Sequence, residues 1–165
     1  EFYPHPDHIR VHEVTVAAFD AAGDPDRYPD AGEPWQPLKL YYTGFSVRRL
    51  RALDQAYKDR GEESPYNKWF EKGVPEQWEN AFTTYVEVGE YITKRSQALL
   101  AHETQVDPEG FWLRLPDEVV REVFPYEEFI LAKSLVETAI PEDDLFAGIR
   151  EPIYSRRGGS ASIRP

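Results

Sequence analysis

The chain has no cysteine. That excludes a disulfide scaffold and a thiolate zinc site, leaving histidine and carboxylate as the available metal ligands, and it agrees with a cytoplasmic location. Methionine is absent too, even at the start, where the chain opens on Glu1, so it reads as the C-terminal portion of a larger protein. No apolar run approaches the length of a membrane span and no signal-peptide pattern is present, so a soluble protein without a membrane partner is expected. Positive charge is scarce: 19 Lys and Arg against 30 Asp and Glu give a net charge of −11. Nucleic acid is bound through Lys and Arg facing phosphate, so it is not expected as a partner, and a small or neutral substrate fits better. The length of 165 residues suffices for one domain with a real core.

Histidine is also rare, with four in all, and three of them fall in His5-Pro6-Asp7-His8-Ile9-Arg10-Val11-His12. Proline is favoured at the first helical position, so a helix is expected to start at Pro6 with His5 at or near its N-cap and His8 in the first turn. Spacings of three and four residues place His5, His8 and His12 on a common helix face. Asp7 is well placed to orient a neighbouring imidazole. A His, Pro, Asp cluster at a helix start also serves as a plain cap and turn, and by itself favours that reading.

The first helix is expected to run to about Ala22, with Val11, Val14, Ala18 and Ala21 as an apolar stripe and Gly23 as its end. A proline-rich loop over 24–37 leads into a strand at Leu38–Tyr42. Ser46 caps a second helix, closed by Gly61, with Val47, Leu50, Leu53 and Tyr57 on one side and Arg48, Arg49 and Arg51 on a solvated side. An aromatic stretch with a short helix around Trp69 precedes a strand at Thr83–Val88. The next helix, from about Glu90 to Thr104, turns Ile92, Leu99 and Leu100 inward and carries His102 near its end. Asp107–Gly110 is a turn, Phe111–Leu113 a buried segment, and Pro116 opens a helix ending near Val123. The apolar run Phe124–Val136 fits a strand or a helix equally well. From Pro141 the chain reads as a tail, and 150–165 has the composition of a disordered end. There is no internal repeat, and the alternation of strand and helix predicts an α/β fold.

Two longer strings sharpen the functional expectation. Tyr3-Pro4-His5-Pro6-Asp7-His8 resembles the C-terminal metal motif of the LmbE-like N-deacetylases and amidases, and Lys94–Gln105, which holds His102, resembles a second signature of that family. Pro29–Trp35, Lys39–Tyr42, Thr104–Pro108 and Leu145–Ile149 look most like its mycothiol S-conjugate amidase branch. The resemblance implies a Rossmann-like fold of which residues 1–149 are the C-terminal part. It implies zinc as cofactor, with Fe2+ as an alternative, and a small thiol-conjugate substrate whose amide is cleaved to a mercapturic acid and glucosaminyl-inositol.

By motif position, His8 matches a zinc ligand, His5 a general acid or oxyanion stabiliser, Tyr3 a contact to the tetrahedral intermediate, and Asp7 the residue orienting a site histidine. His102 matches a histidine near the site, and His12 has no catalytic place in the pattern. The family's Ala-His-Pro-Asp-Asp-Glu motif, with its other ligands and general base, does not occur. The chain alone is therefore expected to be inactive, its partner being the missing N-terminal half, with a homo-oligomer as a further option. The alternatives are the sibling deacetylase of the N-acetylglucosaminyl-inositol precursor and a non-catalytic scaffold of the same fold.

Overall fold

The computed structural model describes residues 5–74, 78 and 80–150. Tyr3 and the expected tail past Arg150 lie outside the described residues. The chain divides into two compact units, one made of the segments up to Tyr41, 131–137 and from Gly148 on, the other of Tyr42–Ile130 and Thr138–Ala147.

In the first unit α1 spans Pro6–Ala21, with Pro at the start of the helix, His5 as an extended N-cap and Asp7 in the first turn. At the far end the Gln36 side-chain amide donates to the Phe19 carbonyl at 3.0 Å, satisfying one of the orphan acceptors every helix end leaves. The glycine at 23 has a second reason besides ending a helix: a Cβ there would collide with the Gln36 side chain. Phe19 is the buried residue of α1, whereas Val11 and Val14 are 62% and 52% exposed. Of the apolar stripe read from the periodicity, Val11, Val14 and Ala18 are thus exposed and Ala21 is half-buried. The Lys133 ammonium lies 5.8 Å above the Phe19 ring and pairs with Asp20 at 2.6 Å. After a short 3-10 turn at Pro29–Ala31 the chain enters β1, Lys39–Thr43.

The second unit is built on α2, Val47–Asp59, where the Ser46 hydroxyl accepts the Arg49 N–H at 3.0 Å and Gly61 leaves the helix at φ 70°, the left-handed region glycine enters without strain. Its inward face, Leu53, Ala56 and Tyr57, packs with Ile92, Leu115 and Val120 in one apolar cluster. Arg49, expected on the solvated side, is only 8% exposed. It precedes Leu53 by four residues and so belongs to the buried stripe. A short helix, α3, covers Asn67–Glu71. Strand β2, Thr84–Glu87, is followed by a 3-10 turn at Gly89–Tyr91 and by α4, Ile92–Leu100. Helix α5, Asp117–Val123, is tied to α4 by the Ser96 hydroxyl donating to Asp117 at 2.6 Å. The Arg121 Nε donates to the Gly89 carbonyl at 2.9 Å.

The undecided apolar run becomes β3, Tyr126–Ser134. Among the described residues the sheet has three strands in the order β1-β3-β2. β2 pairs antiparallel with β3, Thr84 opposite Phe129 and Glu87 opposite Tyr126. Leu38, just before β1, accepts from the N–H of Leu135, just after β3, at 2.9 Å, so β1 also runs against β3. The alternation of strand and helix predicted from sequence is present, but this sheet is antiparallel, unlike the parallel sheet of a Rossmann-like fold. Hydrophobic period marks a strand without marking its direction.

Three further expectations are corrected. α4 stops at Leu100, short of Thr104, and leaves Leu100 exposed. Phe111 and Trp112 are 44% and 50% exposed. The segment after Pro141 is not a tail: Glu142 is buried, forms a parallel bridge with Thr84, and takes hydrogen bonds from the Thr84 and Thr138 hydroxyls at 2.9 and 2.6 Å.

A second buried carboxyl, Glu128, accepts from the Ser46 backbone N–H and hydroxyl. Burial raises its pKa above the ordinary 4.5, outweighing the opposing pull of the Ser46 N–H and Arg49. The folded state thus holds this proton more tightly than the unfolded chain. The associated stability is fully present below the ordinary carboxyl range and is lost as pH rises through the folded value. Glu128→Gln keeps the hydrogen-bonding shape without the charge. Its urea midpoint is expected to exceed that of the parent by a margin that widens as pH rises from the ordinary carboxyl range through the raised folded value. Parallel curves across that range would show that the carboxylate is not destabilising.

Candidate functional site

The start of α1 gathers three of the residues singled out from sequence. As N-cap, His5 is held by its own helix, its Nδ1 accepting the Asp7 backbone N–H at 3.2 Å. In the neutral ring the proton is then on Nε2, which makes that nitrogen a hydrogen-bond donor. The Asp7 carboxylate stands 3.9 Å from the same Nδ1, too far for a direct hydrogen bond. One turn along, the His8 ring meets the His5 ring edge to face at a centroid distance of 5.8 Å. His5, Asp7, His8 and His12 are all exposed, so the group has the access a substrate needs.

His102 belongs to the second unit. It is not in a helix: it sits in the turn after α4, its N–H donating to the Leu99 carbonyl at 3.0 Å and its carbonyl accepting from Gln105 and Val106 at 2.8 and 2.9 Å. Its exposure follows from the early end of α4. Tyr3 lies outside the described residues.

A catalytic zinc takes three protein ligands and keeps one open position. Among the described residues no group of three His, Asp or Glu side chains is arranged to hold a metal. His8 can supply one donor, but this donor set does not by itself fit the ion.

Sequence reasoning missed a cavity of about 230 Å³ in the second unit, bounded by Phe45, Tyr66, Phe111, Trp112 and the side chains of Arg49 and Arg95. Burial, and then Arg49 beside it, lower the pKa of Arg95, while burial pushes Tyr66 up to about 12, which leaves it a neutral phenol. The available signal was the place of Arg49 on the buried stripe of α2. The aromatics read as ordinary core packing.

Comparison with known proteins supplies a context for the histidine cluster. The chain is 52% identical over 153 residues to a mycothiol S-conjugate amidase of Streptomyces coelicolor, covering 90% of this chain and 52% of that protein. It is 37% identical over 153 residues to a 1D-myo-inositol 2-acetamido-2-deoxy-alpha-D-glucopyranoside deacetylase of Frankia alni, covering 89% of this chain and 53% of the relative. Against the enzyme of that name from Rhodococcus jostii the identity is 36%, with 89% and 51% covered. The chain spans about half the length of these curated relatives. No family model matches it, and no solved structure does. Over about nine-tenths of its own length it is similar to an amidase and to deacetylases, both of them hydrolases.

Proposed function

We propose that the chain is the C-terminal part of a zinc-dependent amidase that cleaves mycothiol S-conjugates to a mercapturic acid and glucosaminyl-inositol. The observation carrying this reading is the higher identity to the amidase than to the deacetylases across the same share of the chain. The exposed start of α1 supports it, because it presents the chemistry amide hydrolysis asks of a protein. Water adds to the amide carbonyl, charge builds on the carbonyl oxygen, and the departing glucosamine nitrogen needs a proton. His5 is suited to both tasks from Nε2, as a neutral donor to the oxygen and as an imidazolium giving its proton to the amine. Asp7 would help orient the site histidine. Tyr3 would add a second donor to the oxygen, and His102 would stand near the substrate.

In this reading His8 is one of three metal ligands and the others come from the rest of the polypeptide. Val11 and Val14, exposed on the same helix, are the surface that the remaining part would cover. No membrane-crossing helix occurs among the described residues, and the proposed substrate is a small water-soluble molecule met in the cytoplasm.

Paired assays test the substrate. The intact protein is expected to cleave a mycothiol S-conjugate faster than it deacetylates N-acetylglucosaminyl-inositol; the reverse order would assign it to the deacetylases, which match over the same span. His5→Ala should keep bound zinc and lose roughly two to four decades of turnover, the usual worth of a positioned acid. Near-normal turnover in that variant would move the proton donor elsewhere.

A further inference from the structure

The cavity of the second unit is not a simple gap in an apolar core. Its walls are apolar and aromatic, with Leu50 and Leu53 of α2 below and Phe111 and Trp112 beside them. The rings form a continuous rim: Phe45 to Trp112 at 5.4 Å, Trp112 to Phe111 at 5.0 Å and Phe111 to Tyr66 at 5.4 Å between centroids. Two large aromatics half open to solvent at a cavity mouth leave apolar area that a bound molecule would cover.

Two guanidinium groups share these walls. Arg49 is buried, its guanidinium carbon 5.1 Å from the Phe45 ring centre. Its NH1 reaches Glu127 at 3.5 Å. Arg95 reaches the other oxygen of Glu127 at 3.9 Å, too long for a hydrogen bond, and its Nε is buried with no hydrogen-bond partner. A guanidinium has five N–H donors; among the described residues Arg95 places none of them in a hydrogen bond. Arg49 and Arg95 thus lean on one carboxylate from its two sides. Buried donors are ordinarily satisfied, and a buried positive charge ordinarily has a close negative partner. In a chain of net charge −11 such a paired cationic spot runs against the general field.

We propose that this cavity is a binding site for a small amphipathic carboxylate. Its ring or other apolar body lies between Leu50, Leu53, Phe111 and Trp112, and its carboxylate takes the N–H groups of Arg95 and Arg49. Planar carboxylates match the guanidinium fork in two parallel hydrogen bonds. The small volume limits the body to one or two rings. Tyr66, kept neutral by burial, is a further wall of the site. None of His5, Asp7, His8 and His102 lines this cavity, so the proposal does not rest on the hydrolytic reading.

Titration calorimetry with naphthoate and with its uncharged amide, naphthamide, tests the proposal on the protein at its full native length. One equivalent of naphthoate should bind about tenfold or more tighter than naphthamide, the difference expected when charge-assisted hydrogen bonds are gained. Arg95→Met should remove most of that preference while naphthamide binding stays within about threefold. Arg51→Met, an equal charge change on the exposed side of α2, should leave both constants unchanged. Because the comparison of the two probes is made first on the unaltered protein, misfolding of a variant cannot conceal the result. Equal binding of the two probes, no binding of either, or a carboxylate preference that survives in a folded Arg95→Met protein would each overturn the site.

Discussion

In the intact protein, His8→Ala is expected to remove bound zinc and amide cleavage together. A hydrolytic zinc with three protein ligands tolerates the loss of one poorly, because the histidine nitrogen is replaced by water and the remaining pair no longer fixes the geometry. His8 stands in the first turn of α1, exposed and 5.8 Å from His5, so its removal leaves no buried hole and should not disturb the helix. Metal analysis after dialysis, with turnover on a mycothiol conjugate and a far-ultraviolet spectrum, separates metal loss from unfolding. A folded His8→Ala protein that keeps one tight zinc would take His8 out of the coordination sphere.

An all-or-none result is also expected when the 165-residue chain is made alone. Since the described residues contain no three-ligand group, the chain alone should hold no stoichiometric zinc and cleave no conjugate. Adding a separately produced N-terminal half should restore one zinc per pair and amidase activity with it. The apolar surface available for that association includes Val11 and Val14 on α1, whose burial is favourable by about 25 cal/mol per Å² removed from water. Charged substitutions there, such as Val11→Glu, should raise the concentration of partner needed for half-recovery without changing activity at saturation. Tight zinc and cleavage by the chain alone would refute the shared site and require His5, His8 and His12 to suffice. Restored zinc without cleavage would instead place the catalytic failure outside the metal.

Local signals were legible where their cause is local. The start of α1 at Pro6, the Ser46 cap, the left-handed Gly61 and the helix that begins after Pro116 each depend on the residue itself and one or two neighbours. The grouping of His5, Asp7 and His8 is of the same kind, because one helical turn fixes it, and the resemblance to amidases and deacetylases was legible in the string that holds it, in Lys94–Gln105 and in shorter stretches such as Pro29–Trp35. Sequence also determined that any metal here must rely on His and carboxylate, since cysteine is absent.

Only tertiary structure decided the rest, for reasons of direction and desolvation. A strand's residues specify its pleat, while the strand it meets sets its sense, so the antiparallel β1-β3-β2 sheet was not readable. Glu142 reads from sequence as part of a tail, but in the fold the Thr84 and Thr138 hydroxyls close over its carboxylate. Arg49 is expected with Arg48 and Arg51 on the solvated side of α2, yet its four-residue spacing from Leu53 belongs to the core. What allows its burial is a carboxylate seventy-eight positions away, Glu127, and that pairing across the fold, shared with Arg95, is what turns a gap among aromatics into a cationic cavity.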